Sequence, residues 1–371
     1  MYKNSFTIIS VVGTRPNFIK AAPLLRESLK YDPRIQHLLC HTGQHYDYNM
    51  SEVFFTELEM PKPAFFLEVG DGSHAEQTAR IMLAFEKVLN EAKPKLVIVY
   101  GDVNSTMACT LAAVKLHIPV AHVEAGLRSF DRSMPEEINR LVTDAISGLL
   151  LVSEPSGMEN LMKEGATSDK VFFTGNIMID TLVHSLPKIE ASEVLSDLHL
   201  TPKNYIAVTF HRPSNVDSRE DLNHLVEFLN EISKQKKVVF PVHPRTRHNI
   251  EKFGLMQLMS PEIIISNPLG YFDFMALVKD SCLVITDSGG IQEESTFLGV
   301  QCITVRDNTE RPVTVTVGTN HLAGTNLANV LNIALQILSG NEVKGRIPQL
   351  WDGHTAERIM TVIDRYLNSG D

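Results

Sequence analysis

Short, almost continuous apolar runs alternate with longer amphipathic stretches over most of the chain. In the first half, apolar runs predict strands at residues 7–13, 35–42, 96–100, 120–123, 149–152 and 171–174. The stretches between them predict helices, among them 17–30, a helix from about residue 50, and 73–91. Strands without polar alternation, each followed by a helix, are typical of a parallel sheet that is covered on both faces.

A second series of the same kind follows a polar interval. Residues 190–200 are charged and lack core periodicity, and further strands are predicted at 205–210, 238–242, 263–266, 283–286 and 302–305. Because 371 residues exceed one ordinary core, we predict two Rossmann-like, doubly wound α/β domains. We expect an N-terminal domain at 1–188, a C-terminal domain at 189–354, and a last helix at 355–371 that packs back on the first domain.

Three carboxylates follow the predicted strands of the first half. Asp102 and Glu124 come just after strands, and Glu136 opens the helix that begins at Pro135. Ligands of open parallel sheets bind at the carboxyl ends of the strands, where such groups can act as acids and bases. A single Asp or Glu at a helix start is often only a cap, but three at one sheet edge favour catalysis.

The run Ser288-Gly289-Gly290 joins a strand to a helix in the second half. Free N–H groups and the helix dipole at such a turn favour a phosphate, although an ordinary capped helix has the same pattern. The turn is not a Walker loop, because no Gly-Lys-Ser/Thr follows. Glu294, one turn into the helix, is placed to accept hydrogen bonds from ribose hydroxyls, and Arg311 is a bidentate donor for a diphosphate.

Two further turns carry charged candidates. Arg15 and Lys20 lie at the start of the first helix, where they add positive charge near an anion, and a solvated surface turn is an equal alternative. His211, followed by Arg212, ends the first strand of the second half. It is a candidate proton carrier or hydrogen-bond donor to a diphosphate, although a single His in this position is more often structural.

Composition narrows the class of protein. Hydrophobic residues make up 43% and charged residues 21%, as in globular proteins. No apolar run reaches the roughly 18 residues of a membrane helix, and no signal-peptide pattern opens the chain, so we expect a cytoplasmic protein without a membrane partner. The net charge of -10 argues against a nucleic-acid surface but allows a local phosphate site.

The spacing of the cysteines and histidines matches neither a metal-binding motif nor a disulfide framework. The cysteines are far apart, at Cys40, Cys109, Cys282 and Cys302, and the 14 histidines have no ligand spacing. We expect reduced thiols, no metal and no cofactor.

Six motifs occur in a fixed order along the chain. They are Gly-Thr-Arg-Pro at 13–16, Gly-Asp-Val-Asn-Ser at 101–105, His-Val-Glu-Ala-Gly-Leu-Arg at 122–128, Pro-Glu-Glu-Ile-Asn-Arg at 135–140, Asp-Ser-Gly-Gly-Ile-Gln-Glu-Glu at 287–294 and Thr-Glu-Arg-Pro at 309–312. With these motifs the sequence closely resembles the non-hydrolysing UDP-N-acetylglucosamine 2-epimerases. The resemblance implies a glycosyltransferase-B-like fold with the active site in the interdomain cleft.

The resemblance also implies a reaction. UDP is eliminated across C1 and C2 of the sugar to give 2-acetamidoglucal, and it adds back with the proton on the other face, so that UDP-GlcNAc becomes UDP-ManNAc for surface polysaccharide. The implied acid–base residues are Asp102, Glu124, Glu136 and His211. The implied residues that hold or orient the UDP-sugar are Arg15, Lys20, Arg212, Ser288, Gly289, Gly290, Glu294 and Arg311. The resemblance further implies a homodimer.

Two stretches depart from the common family pattern. Residues 211–215 read His-Arg-Pro-Ser-Asn instead of His-Arg-Arg-Glu-Asn. After Gln44-His45 the chain has Tyr46-Asp47, where members with an activating second substrate site carry Arg-Gln, and this stretch resembles relatives that act on diacetamido uronic-acid nucleotides.

The alternatives are therefore a 2-epimerase of UDP-2,3-diacetamido-glucuronate, a hydrolysing 2-epimerase, and a UDP-sugar glycosyltransferase of the same fold. A glycosyltransferase would need an acceptor-binding face, and the sequence shows no such stripe. A nucleotide-sugar sensor would not need the three carboxylates.

Overall fold

A computed structural model describes residues 5–44 and 55–369 of the chain. The chain forms two compact units, of which unit 1 comprises Met1–Val183 with Gln349–Asp371 and unit 2 comprises His184–Pro348. The predicted boundaries were 188/189 and 354/355. The start of the predicted helix from about residue 50 and most of the 43–47 loop lie outside the described residues, and residues 55–57 are helical.

Unit 1 is built on a parallel sheet of seven strands. Its strands are β1 (Phe6–Val12), β2 (Ile35–His41), β3 (Phe65–Phe66), β4 (Leu96–Tyr100), β5 (Val120–Val123), β6 (Leu149–Val152) and β7 (Val171–Phe173). The order is β3-β2-β1-β4-β5-β6-β7, and every pair is parallel. The strand order reverses between β1 and β4, which is where ligands of doubly wound folds bind.

The helices of unit 1 connect these strands. They are α1 (Arg15–Ser28), α2 (His74–Ala92), α3 (Asn104–Lys115), α4 (Pro135–Ile146) and α5 (Pro155–Lys163), with a 3₁₀ turn at Leu29–Tyr31. A further helix, α6 (Ile177–Glu190), begins in unit 1 and ends in unit 2. The C-terminal helix α15 (Thr355–Asn368) packs against α1. Its first N–H groups, those of Thr355 and Ala356, donate to the Asp180 carboxylate at 3.0 and 2.6 Å, so a buried carboxylate caps it within unit 1.

Unit 2 has a six-stranded parallel sheet in the order β10-β9-β8-β11-β12-β13. Its strands are β8 (Tyr205–Thr209), β9 (Lys237–Pro241), β10 (Ile263–Ser266), β11 (Leu283–Thr286), β12 (Cys302–Thr304) and β13 (Asn320–Leu322). Its helices are α7 (Val194–Asp197), α8 (Pro213–Val216), α9 (Arg219–Ser233), α10 (Pro244–Lys252), α11 (Tyr271–Asp280), α12 (Gly289–Leu298), α13 (Pro312–Thr316) and α14 (Leu327–Leu338), with a 3₁₀ turn at Met256–Leu258. Here the order reverses between β8 and β11.

The two doubly wound sheets confirm the predicted fold class. Central strands are buried along their whole length, as β4 and β5 show, because helices cover both faces. Sequence patterns did not predict β3 or β13, and a short helix, α7, lies in the stretch 190–200 that was predicted to be a polar break. Within the described part of the chain, no helix is both long and apolar enough to span a membrane.

Candidate active site

The turn after β1 is tied to the end of β4 by one buried side chain. The Asn17 carboxamide oxygen accepts hydrogen bonds from the N–H groups of Gly13 and Thr14 at 3.1 and 3.2 Å. The Asn17 Nδ2 group donates to the Tyr100 carbonyl at 3.0 Å. This bridge fixes the start of α1, and with it Lys20, beside the strand that Asp102 follows.

Glu124 forms an ion pair with Lys20 directly after β5. Both side chains are buried, and a Cβ atom added at Gly101 would lie 3.0 Å from Lys20 Nζ and 3.4 Å from Glu124 Oε2. The pair therefore lies over the glycine that precedes Asp102. The expected role of Lys20 was to add positive charge for an anion, whereas in the structure its ammonium group faces the Glu124 carboxylate.

Asp102 is held by two neighbouring residues of α4. Arg140 Nη2 donates to the Asp102 carboxylate, and Asn139 Nδ2 donates to the Asp102 backbone carbonyl at 2.8 Å. Arg140 Nη1 also donates to the buried Glu137 carboxylate at 2.6 Å. Since about a quarter of the Asp102 side chain is exposed, this carboxylate is both fixed and accessible.

Two predicted residues of unit 1 lie at helix starts. Glu136 is the second residue of α4 and is partly buried, in a turn where the helix dipole favours a carboxylate. Arg15 is the first residue of α1 and is exposed. The structure thus places Asp102, Glu124 and Glu136 after β4, after β5 and in the first turn of α4.

Beneath these carboxylates lies a buried pair that sequence reasoning did not single out. His122 Nε2 donates to the Gly101 carbonyl at 2.7 Å, and His122 Nδ1 lies 2.6 Å from Asp144 Oδ1. The Asp144 carboxylate also pairs with Arg128 at 2.7 Å. Burial would raise the pKa of Asp144, but the positive charges of His122 and Arg128 outweigh it, so that the pKa of Asp144 is lowered.

His211 of unit 2 has a carboxylate partner at the end of β11. His211 Nδ1 lies 2.7 Å from Asp287 Oδ1, and the N–H groups of His211 and Arg212 donate to Asp287 Oδ2 at 3.0 and 2.9 Å. Burial would raise the pKa of Asp287, but these donors together with Asn215 outweigh it and lower the pKa. With Nδ1 facing Asp287, the ring orientation is fixed, and half of the His211 side chain is exposed.

The start of α12 has the geometry of an anion site. Ser288 occupies the N-cap position without a capping hydrogen bond from its side chain, and Gly289 and Gly290 form the first turn. The Arg311 guanidinium lies close by, because a Cβ atom added at Gly289 would come 3.2 Å from Arg311 Nη1. We call Ser288, Gly289, Gly290 and Arg311 the anion loop, since they combine helix N–H groups with a cation.

Acidic residues orient the arginines around this loop. Arg311 Nε lies 2.8 Å from the buried Glu293 carboxylate. Arg306, which the sequence analysis did not select, forms a bidentate pair with Glu310 at 3.0 Å for each contact. Paired guanidinium groups are held in one geometry, which suits recognition of a planar or tetrahedral anion.

Glu294, which is predicted to accept hydrogen bonds from ribose hydroxyls, lies in a buried part of α12. The residue is 2% exposed, and Glu294 Oε1 accepts a hydrogen bond from the Tyr271 hydroxyl at 2.9 Å. Arg212, a further predicted binding residue, is partly buried next to His211. Among the described residues, no group of three or more His, Cys, Asp or Glu side chains has the arrangement of a metal site.

Taken together, these features define a class of protein: an α/β enzyme with candidate acid–base carboxylates at one sheet edge and a candidate anion site, the anion loop, at another. The sequence profile of the UDP-N-acetylglucosamine 2-epimerases matches residues 27–364. The chain belongs to this family of isomerases, and the predicted family resemblance is confirmed.

Individual relatives cover nearly the whole chain. A UDP-N-acetylglucosamine 2-epimerase of Methanococcus maripaludis is 41% identical over 95% of this chain and 97% of its own length. A UDP-2,3-diacetamido-2,3-dideoxy-D-glucuronate 2-epimerase of Pseudomonas aeruginosa is 39% identical over 92% of this chain and 98% of its own.

Solved structures are similar as well. The crystal structure of the Methanocaldococcus jannaschii UDP-GlcNAc 2-epimerase, in complex with UDP-GlcNAc and UDP, matches with a TM-score of 0.88 at 41% identity, over 97% of this chain and 99% of that one. A UDP-glucosyltransferase from Polygonum tinctorium matches with a TM-score of 0.62 at 13% identity, over 98% of this chain and 100% of that one. The second likeness concerns the fold alone and agrees with the predicted glycosyltransferase-B-like class.

Proposed function

We propose that this protein interconverts UDP-GlcNAc and UDP-ManNAc by elimination and re-addition of UDP. The observation that carries the proposal is the Lys20–Glu124 pair over Gly101, beside Asp102, in a chain of this family. Two fixed carboxylates at one sheet edge suit a reaction in which a proton leaves one face of a carbon and returns to the other.

The chemical steps assign different tasks to the two units. A carboxylate of unit 1 takes the C2 proton, the C2–H electron pair forms the C1=C2 double bond of 2-acetamidoglucal, and the C1–O bond to UDP breaks. The anion loop of unit 2 binds the departing UDP, because helix N–H groups and Arg311 stabilise a diphosphate. UDP then adds back at C1 while C2 receives a proton on its opposite face, so no water is consumed.

His211 has a defined place in this scheme. Since Asp287 holds its Nδ1 side, Nε2 is the nitrogen available to donate to a diphosphate oxygen or to carry a proton. We assign Arg15 and Arg212 to the UDP-sugar phosphates as well. For Lys20 we propose a positioning role through Glu124, and for Glu294 a role in shaping the ribose site through its bond to Tyr271.

A 2-epimerase of UDP-2,3-diacetamido-glucuronate is the second candidate. The identity of 39% with a relative of that name favours it nearly as much as the 41% favours UDP-GlcNAc. Both substrates carry an acetamido group at C2, and the same carboxylates serve either one. We also expect a homodimer that acts in the cytoplasm and supplies ManNAc units for surface polysaccharide.

A proton NMR time course in deuterated water tests the proposal. With UDP-GlcNAc we expect UDP-ManNAc that carries deuterium at C2, since the returned proton comes from solvent. Free ManNAc with UDP would instead indicate a hydrolysing enzyme. An unchanged UDP-GlcNAc signal beside turnover of the diacetamido-glucuronate nucleotide would favour the second candidate. If neither nucleotide sugar is consumed, the 2-epimerase proposal is contradicted.

A further inference from the structure

The buried His122–Asp144 pair links the ends of β4 and β5, which the candidate carboxylates Asp102 and Glu124 follow. His122 is fully buried in β5, and its ring contacts the Gly101 carbonyl on one side and Asp144 on the other. Asp144 Oδ2 accepts a hydrogen bond from the Gly126 N–H at 3.0 Å. Gly101 directly precedes Asp102, and Gly126 follows Glu124 by two positions, so the pair reaches both turns.

Both ring nitrogens of His122 face acceptors. A backbone carbonyl can only accept, and the ionised Asp144 carboxylate can only accept as well. The ring is therefore held on both sides, by the Gly101 carbonyl at Nε2 and by Asp144 at Nδ1. A buried ring between two such partners has a single satisfied orientation, since moving either partner leaves a polar group without its bond.

The two turns need such a restraint because their backbones are unusual. Gly101 and Gly126 lie at φ values of 62° and 82°, and Glu124, a residue with a side chain, lies at 71°. Non-glycine residues in this left-handed region carry strain of roughly 1 kcal/mol or more, and they persist only where surrounding contacts determine the conformation. The Glu124 and Ala125 N–H groups both donate to the Leu151 carbonyl, and the next N–H, that of Gly126, donates to Asp144.

We propose that His122 and Asp144 are positioning residues, which hold Gly101 and Gly126 so that the Asp102 and Glu124 carboxylates stay in reacting geometry. The inference rests on the proposed function for its catalytic consequence, while its structural consequence is independent of the substrate. A misplacement of about 1 Å in a reacting group costs on the order of 100-fold in rate, so loss of the pair acts on kcat.

The test variant is Asp144→Asn, in which the shape is kept and the carboxylate is lost. An amide cannot accept from His122, Arg128 and the Gly126 N–H together, so we expect kcat to fall by about 10- to 100-fold. KM and the affinity for UDP should stay within about twofold, because the anion loop belongs to the other unit. His122→Gln, which still offers an N–H to the Gly101 carbonyl, should retain more activity than His122→Ala.

Two matched controls separate positioning from general destabilisation. Glu164→Gln removes a partly exposed charge from the far side of the same network, where Glu164 pairs with Arg128 at 2.6 Å, and it should leave kcat unchanged. Ile81→Ala creates a cavity in the unit 1 core within a different element, α2, where Ile81 is fully buried. It should lower Tm without changing kcat per folded molecule.

A second readout, hydrogen–deuterium exchange by mass spectrometry, does not depend on turnover. In Asp144→Asn, peptides that contain residues 101–104 and 124–128 should lose protection from amide exchange. In Ile81→Ala, the same peptides should keep their protection even where the two variants have lost the same amount of Tm. Unchanged protection, or a kcat equal to that of Ile81→Ala, overturns the positioning role. Failure of the wild-type protein to turn over either UDP-sugar contradicts the proposed function and leaves the exchange result to decide the inference.

Discussion

The two units have the same architecture at their strand-order reversals but use different parts of the chain there. In unit 1 the candidate functional groups are side chains: Glu124 is paired to Lys20, and Asp102 is paired to Arg140. In unit 2 the main feature is backbone, the uncapped N-terminus of α12 with Gly289 at its start. Side chains suit proton transfer to one atom, whereas aligned N–H groups suit a spread anionic charge.

The difference extends to what holds each site together. Unit 1 needs left-handed backbone at Glu124 and a buried His122–Asp144 pair beneath it. Unit 2 needs a residue without a side chain at Gly289, where a Cβ atom would crowd the Arg311 guanidinium, and it needs that guanidinium to be oriented by Glu293. Changes in unit 1 should therefore act on kcat, and changes in unit 2 should act on affinity for UDP.

Glu124→Gln should give the largest effect. Loss of a proton-transferring carboxylate lowers kcat by about 1,000-fold, with little change in UDP affinity. NMR turnover and calorimetric titration with UDP measure the two quantities. The control is Glu357→Gln, the same exchange on the exposed face of α15. Retained turnover in Glu124→Gln would remove this residue from the acid–base chemistry.

Arg311→Ala should have the opposite effect: it should weaken UDP binding and leave kcat nearly unchanged. A charge-assisted bond to a diphosphate is worth about 1.5–3 kcal/mol, so the Kd for UDP should rise about 10- to 100-fold, while kcat at saturation changes little. Because Arg311 faces buried Glu293, the double variant with Glu293→Gln should recover Tm without recovering affinity. A UDP affinity equal to wild type would exclude Arg311 from the anion loop.

Gly289→Ala should give a smaller effect of the same kind. The added methyl group would lie 3.2 Å from Arg311 Nη1 and would limit the approach of a phosphate, so we expect a rise in Kd of roughly 3- to 10-fold. Gly299 at the other end of α12 is the matched control, since its φ of 68° makes alanine unfavourable there. Gly299→Ala should lower stability by about 1 kcal/mol and leave the Kd for UDP unchanged. Equal Kd changes in both variants would contradict the model of a backbone anion site.

Asp287 should contribute the smallest effect, seen in the pH dependence of stability. Its pKa is lower in the folded protein than the ordinary value near 4, so its stabilisation is present above that value and is lost as the pH falls through the folded-state pKa. Asp287→Asn should lower Tm at pH 7, and the gap to wild type should narrow below about pH 4. A gap that stays constant over this range would show that the carboxylate charge is not what stabilises the turn.

Much of the fold could be predicted from the chain alone. Apolar runs such as Leu96–Tyr100 and Leu283–Thr286 are strands because both of their faces are buried, and this composition is visible without a structure. The edge strands Phe65–Phe66 and Asn320–Leu322 were missed. They have two or three residues, and pairing with β2 and β12 defines them, not a pattern of their own.

The sequence by itself determined which groups follow the strands, since Asp102, Glu124, His211 and Ser288 stand directly after apolar runs or one turn beyond them. Only the tertiary structure decided their partners. Lys20 meets Glu124 across 104 residues, and His211 meets Asp287 across 76. The parallel sheets bring these segments together through crossovers. No local sequence pattern encodes which two side chains become neighbours. Tertiary packing also buried Glu294 against Tyr271 and set the left-handed turn at Glu124, because burial and backbone strain are properties of the assembled sheet edge.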